Sequence, residues 1–143
     1  MKLSVILAPL ALISSLVSAL TVSYDTAYDN AGQSLDTVAC SNGPNGLETR
    51  GFTTFGSLPT FPRIGGAPSI TAWDSPNCGG CWNLTYVNPQ GKSTSIVITA
   101  IDVATPNYNI GLNAMNQLTN NQAVALGRVT ITAAALPASS CGL

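Results

Sequence analysis

The sequence predicts a mainly β domain held by disulfides, folded either as a small barrel or as an open, mixed sheet. Three observations lead there. Apolar and polar residues alternate in Trp82-Asn83-Leu84-Thr85-Tyr86-Val87 and again from Arg128 to Leu136, with a β-branched, apolar run from Ser95 to Val103 between them. Helical spacing is convincing at one place only, Ile110, Leu112, Met115 and Leu118. Cys78-Gly79-Gly80-Cys81-Trp82, with Cys40 and Cys141, supplies an even set of thiols in a chain that opens like an exported one, where thiols pair rather than bind metal. The export signature is Lys2, the apolar run Leu3 to Leu12 and the small-residue site Val17-Ser18-Ala19. It predicts a signal peptide over 1–19 and one domain over 20–143.

Along the mature chain, Val22 and Tyr24 alternating with Thr21 and Ser23 predict a short first strand, and the polar stretch Asp25 to Asp36 has no helical period. Thr37 to Cys40 runs into Ser41-Asn42-Gly43-Pro44-Asn45-Gly46, whose Asn-Gly and Gly-Pro steps mark consecutive turns. Between Phe52 and Ile70, the residues Pro59, Pro62, Gly65, Gly66 and Pro68 stand among Phe52, Phe55, Phe61 and Ile64. That is too much Pro and Gly for a long helix or a central strand, so short helical turns and loops are expected, their aromatics sealing one end of the core. Asn88-Pro89-Gln90-Gly91 joins two strands as a hairpin, and the second, apolar on both faces, should be central. A helix follows over about 111–119, with Asn109 or Asn113 as its cap, then a helical turn over Gln122 to Leu126 and a last strand from Arg128 to Leu136.

Charged residues are 8% of the chain and the formal net charge is −1, against roughly 25% charged residues in ordinary globular proteins. No basic patch is available for a nucleic-acid backbone or an anionic membrane. After the leader no apolar run approaches the roughly 20 residues of a membrane helix. The polar surface rests on Asn, Thr, Ser and Gly, which suits an uncharged polysaccharide and equally suits life at acid pH outside a cell. Histidine is absent, which excludes Ser-His-Asp and Cys-His nucleophiles and His-based zinc sites. No metal and no cofactor are expected. Acid–base chemistry is left to Asp25, Asp29, Asp36, Glu48, Asp74 and Asp102, or to the far weaker tyrosines.

Asp102 is the sharpest of these, because it ends an apolar strand and by period two shares a face with Ile96, Ile98 and Ala100. It reads either as a rim carboxylate with a raised pKa or as an acceptor for the backbone of the Ala104-Thr105-Pro106 turn. Glycoside hydrolysis needs two carboxylates, and no spacing predicts a partner for Asp102; Glu48 reads as an exposed partner of Arg50. Trp82 is expected to pack on the neighbouring sulfurs, whereas Trp73 is balanced between core and sugar platform. Asn83-Leu84-Thr85 is the one N-glycosylation sequon, with Asn83 on the strand face opposite Trp82.

Several ordered blocks resemble the cerato-platanin family of small secreted fungal proteins. They are Val22-Ser23-Tyr24-Asp25, Val38-Ala39-Cys40-Ser41-Asn42-Gly43-Pro44-Asn45-Gly46-Leu47, Phe61-Pro62 with Ile64-Gly65-Gly66, and Trp73-Asp74-Ser75-Pro76-Asn77-Cys78-Gly79-Gly80-Cys81-Trp82. Ala100-Ile101-Asp102, Asn109-Ile110, Ala114-Met115-Asn116-Gln117-Leu118-Thr119 and Cys141 complete the set. The resemblance implies a six-stranded double-psi β-barrel with short helices, related to expansins and barwin. It selects, from three pairings, the disulfides Cys40–Cys78 and Cys81–Cys141. It also implies a shallow groove for chitin-type oligosaccharides, loosening of cellulose without clear hydrolysis, elicitation of plant defence and self-assembly at interfaces. The carboxylate tied to loosening maps onto Asp102, and Tyr24, Asp25, Ser41, Asn42, Gly43, Asp74 and Asn109 map onto groove positions. Gly80 and Asn83 replace a common Thr and Lys, and Asn107-Tyr108-Asn109 replaces Gly-Phe-Asn, which bears on sugar preference and surface charge.

The expectation is therefore a secreted, non-hydrolytic, carbohydrate-binding and wall-loosening protein, with polysaccharide and a plant surface receptor as partners. The rivals are a surface-active coat protein and a weak inverting glycosidase using Asp102.

Overall fold

A computed structural model describes residues 19–143, so the expected signal peptide lies outside the described residues except for Ala19. Seven strands form one mixed sheet. They are β1 (Thr21–Tyr24), β2 (Ile64–Ala67), β3 (Cys81–Val87), β4 (Ser93–Val103), β5 (Tyr108–Ile110), β6 (Arg128–Thr130) and β7 (Thr132–Leu136). The order across the sheet is β6-β1-β5-β2-β4-β3-β7, with β1 parallel to β5 and β2 parallel to β4. Helices α1 (Leu112–Thr119) and α2 (Ala123–Leu126), with five short 3-10 turns, complete the described elements.

The hairpin forms as its sequence requires. Trp82 faces Ile98 and Leu84 faces Ile96 across β3 and β4. At the turn, Asn88 Oδ1 accepts the N–H groups of Gln90 at 3.0 Å and Lys92 at 2.8 Å. Strand β4 is central, between β2 and β3. Ile98, Ala100 and Ile101 are fully buried in the core with Leu84, Ile64, Ile110, Met115 and Leu118. One buried polar group in β4, the Thr99 hydroxyl, is matched by that of Thr60 at 2.7 Å, as burial of a hydroxyl demands.

The Pro/Gly-rich segment departs from expectation. Ile64-Gly65-Gly66-Ala67 is a wholly buried central strand, flanked by Pro62 and Pro68 rather than interrupted by them. The glycines are what admit it. A Cβ at Gly65 would lie 2.2 Å from the Asn109 carbonyl oxygen, and one at Gly66 would lie 2.6 Å from Ala104 Cβ. Backbone approaches backbone here where any side chain would hold strands apart. The pairing of β2 with β4 slips between Gly65 and Gly66, from Ala100 to Asp102, leaving Ile101 as an extra residue on β4. The carbonyl freed at Ile101 accepts the Cys40 N–H at 3.1 Å.

The strand count is seven rather than six, because the expected run Arg128 to Leu136 is broken at Ile131. Ile131 turns its side chain into the core and gives its N–H to Leu20 O at 3.0 Å. The pairing shows no ladder joining β6 to β7, so the sheet order keeps two ends. Both expected disulfides are formed, Cys40–Cys78 and Cys81–Cys141.

Helix α1 is capped from a distance, not by Asn109 or Asn113. Gly111 is the N-cap, and the Asp29 carboxylate takes the N–H of Leu112 at 2.9 Å and of Asn113 at 3.1 Å. It supplies both hydrogen-bond acceptors and negative charge where the helix start needs them. Asp29→Ala is expected to cost about 1–2 kcal/mol, read as a lower urea midpoint with an unchanged slope.

Candidate functional site

The β4 bulge carries the chain into Asp102 and brings the carboxylate to the rim, half-buried rather than enclosed. Oδ1 accepts the N–H groups of Val103 at 2.8 Å and Ala39 at 3.1 Å, and Oδ2 accepts the Tyr28 hydroxyl at 3.0 Å. The backbone donors are therefore not those of the Ala104-Thr105-Pro106 turn. A carboxylate offers about four acceptor positions. Both on Oδ1 are filled, and among the described residues Oδ2 has one donor, Tyr28.

Tyr28 was not singled out by the sequence. It ends the one-turn 3-10 helix Thr26–Asp29 just short of its last residue, and the Asp25 side chain caps that helix by accepting the Ala27 N–H at 2.8 Å. Side chains three apart on a 3-10 turn eclipse, so Asp25 and Tyr28 share an edge; that spacing is the signal that could have found the pair. Burial first, then the negative charge and hydrogen bond of Asp102 and the charge of Asp25, push the Tyr28 phenol well above its ordinary range. It stays protonated and serves as a fixed donor. Asp25, Tyr28, Gln33, Phe55 and Asp102 line a hollow of about 250 Å³. A second carboxylate thus stands beside Asp102, which no sequence spacing predicted.

Ala39 joins this hollow to a second group of expected residues. Its N–H goes to Asp102, and its carbonyl accepts the Asp74 N–H at 3.2 Å. Asp74 adopts a left-handed backbone at φ 58° and fastens the turn loop, its Oδ1 accepting the Asn45 N–H at 2.8 Å. Gly43 lies against it, at φ 99°, where a Cβ would come within 2.8 Å of Asp74 Oδ1 and 3.0 Å of the Trp73 ring. Trp73 is 58% exposed and its indole N–H donates to Asn42 Oδ1 at 3.0 Å. Its ring is held at one edge and open on its surface, the arrangement of a stacking platform rather than of core.

The remaining candidates are scattered. Asn109 accepts from the Ser23 hydroxyl at 3.3 Å and lines a separate hollow of about 260 Å³ with Asn107 and Arg128. Tyr24 packs half-buried against the core, and Ser41 is buried with its hydroxyl donating to Asn42 at 3.4 Å. Asn83 is half-buried on β3, paired with Val97 and Ala134. Trp82 packs edge-on against the Tyr108 ring at 5.9 Å. The expected Glu48–Arg50 pair is not formed. Arg50 donates instead to the Cys78 carbonyl at 3.1 Å, and burial first, then the neighbouring Asp36 carboxyl, hold the Glu48 carboxyl above its usual range.

A small mixed β domain, stapled twice and bearing an open, carboxylate-lined hollow linked through the Ala39 backbone to a loop with an exposed indole, is the class of protein that these features define. The cerato-platanin family model matches residues 20–143, and the chain belongs to that family. It is 53% identical over 121 residues to Allergen Asp f 15 of Aspergillus fumigatus, covering 85% of this chain and 76% of that protein. It is 42% identical over 100 residues to Cerato-platanin of Ceratocystis fimbriata f. sp. platani, covering 70% of each. Among solved structures, cerato-platanin 2 from M. perniciosa superposes with a TM-score of 0.83 at 45% identity, covering 88% of this chain and 100% of that one. The solution structure of the fungal elicitor Cerato-Platanin superposes at 0.74 and 37% identity, covering 85% and 96%.

Proposed function

We propose that this chain is a secreted carbohydrate-binding protein that loosens chitin- or cellulose-type polysaccharide without hydrolysing it, and that it elicits plant defence through a surface receptor where its producer meets plants. The observation that carries the reading is the joined pair of sites. Asp102 is held by Tyr28 and Ala39, with Tyr28 the one donor on Oδ2 among the described residues, and the same Ala39 leads to the exposed ring of Trp73. Hydroxyl recognition and ring stacking are the two contacts that a neutral sugar chain offers. The name of a relative as a fungal elicitor supports the defence reading. Secretion rests on the leader signature and the two disulfides. The double-psi barrel rests on β6 and β7 being consecutive stretches of chain, separated by Ile131 alone, at opposite ends of the sheet order. A glycan on Asn83 belongs to the same reading.

Asp102→Asn is the test. The amide oxygen can replace Oδ1 toward Ala39 and Val103, and its NH₂ can donate to a Tyr28 hydroxyl that rotates to accept, so the shape survives while charge and proton exchange are lost. Filter-paper loosening should fall at least tenfold, with oligosaccharide affinity within about threefold of wild type and a thermal midpoint within a few degrees. Loosening at the wild-type rate in the folded variant would remove Asp102 from the mechanism.

Asp25 beside Asp102 favours one rival, an inverting glycosidase that uses both carboxylates. Release of reducing ends from chitin or cellulose oligomers, abolished by Asp25→Asn, would establish it in place of loosening. A coat protein active only at interfaces would self-assemble unchanged while binding no oligosaccharide.

A further inference from the structure

Helix α1 buries Ala114, Met115 and Leu118 and turns Asn113, Gln117 and Asn120 outward, with Asn116 at its shoulder. These carboxamides recur at the three- and four-residue spacing that places side chains in one stripe. Exposed helix positions usually carry strong helix formers and charges, and asparagine is a weak former because it competes with the backbone. Helix stability does not account for the asparagines. Asn116 and Asn120 have local duties: Asn116 Oδ1 accepts the Ala123 N–H at 3.1 Å, and Asn120 ends the helix at φ 54°. The side chains of Asn113, Gln117 and Asn121 have no hydrogen-bond partner among the described residues, and Asn113 and Gln117 are exposed.

The stripe lines a hollow of about 450 Å³ with Pro62. Asn120 is shared with a second hollow of about 320 Å³, where half-buried Tyr86 stands with Pro89, Gln90 and Gln122. No charged side chain lines either one, whereas the Asp102 hollow has two carboxylates and the Asn109 hollow has Arg128. We propose that this amide-lined track is a second glycan-binding face, taking a neutral polysaccharide chain along α1 and the hairpin turn. Each carboxamide presents donors and an acceptor in one plane, which matches paired sugar hydroxyls, and Tyr86 adds an aromatic surface at one end. A uronic-acid chain would bring carboxylates to a surface with no cation to meet them. The inference rests on the glycan-binding reading of the Asp102 site and goes beyond it. Two faces on one rigid domain let a single molecule bridge two polysaccharide chains, and binding at both raises retention without tighter contacts at either.

The test is a titration of the whole mature protein with cellohexaose and with chitohexaose, followed by backbone amide shifts in NMR. Two separable sets are expected, one at Tyr28, Ala39 and Val103, the other at Gln117, Asn121 and Gln122. Oligogalacturonate should move none of the second set. Asn113→Ala/Gln117→Ala should raise Kd at the second set at least tenfold and leave the first within twofold. Its thermal midpoint should be unchanged or higher, because alanine is the better helix former. Shifts confined to the first set, or a second-set affinity untouched by the double variant, would overturn the second face alone. Absence of shifts in both sets would remove the glycan-binding reading and this inference with it.

Discussion

Gly65→Ala is expected to be severely destabilising, with a loss of more than about 4 kcal/mol. The added methyl would sit 2.2 Å from the Asn109 carbonyl oxygen and 2.7 Å from Ile110 Cα, both backbone atoms of the neighbouring strand β5. No rotamer change relieves a clash with backbone. Strands β2 and β5 would have to separate at the centre of the sheet, exposing Ile64 and Ile110, each fully buried. Gly91→Ala is the control: φ is 80° there but nothing lies within 4 Å of the added atom, so only left-handed strain of about 1 kcal/mol applies. Thermal unfolding of the two variants side by side decides the matter. A Gly65→Ala midpoint within a few degrees of the Gly91→Ala midpoint would mean that the sheet yields where its packing says it does not.

Removing the Cys81–Cys141 bridge as Cys81→Ala/Cys141→Ala is expected to lower stability by about 4 kcal/mol, on the order of 15 °C in midpoint. The bridge spans 60 residues and ties the C-terminal 3-10 turn Ala138–Cys141 to the start of β3. Domains of this size are stable by about 5–15 kcal/mol in all, so the variant should be marginal but folded. The Cys40–Cys78 bridge, spanning 38 residues, predicts nearly the same loss from chain entropy. Its removal differs in also freeing the loop that delivers Ala39 to Asp102 and Asp74. Equal midpoints with unequal oligosaccharide affinity would separate the two roles. A double variant of either pair at wild-type midpoint would show that the bridges follow the fold rather than support it.

Elements written in local pattern were legible in the sequence: the hairpin from period two and a turn tetrapeptide, α1 and α2 from their apolar spacing, and extended chain from Arg128 to Leu136, though not its break at Ile131 into two strands with different partners. What escaped was written in distant contacts. Pro and Gly argued against a strand at Ile64–Ala67, because their local cost is readable and the close backbone approach that repays it is not. Strand β5, three residues long, has too few positions to show a period. The Asp29 cap of α1 stands 83 residues before the amide that it binds, out of reach of any capping motif. The site divides in the same way. Asp102 stood out as a polar end to an apolar strand, but its partners Tyr28 and Ala39 are separated from it by 74 and 63 residues.

The extra residue at Ile101 has a bearing on how this sheet could be redesigned. A regular β2–β4 ladder would pair Gly66 with Ile101 and engage the carbonyl that now accepts the Cys40 amide. Deleting one residue there to straighten the sheet would unfasten the 38–47 loop and reverse the side-chain parity of everything beyond it, sending Asp102 and Val103 to each other's faces. The irregularity is thus a fastener as well as a kink: one surplus peptide unit in a strand holds down the loop that holds the carboxylate. An idealised version of this domain would keep its core and lose its site.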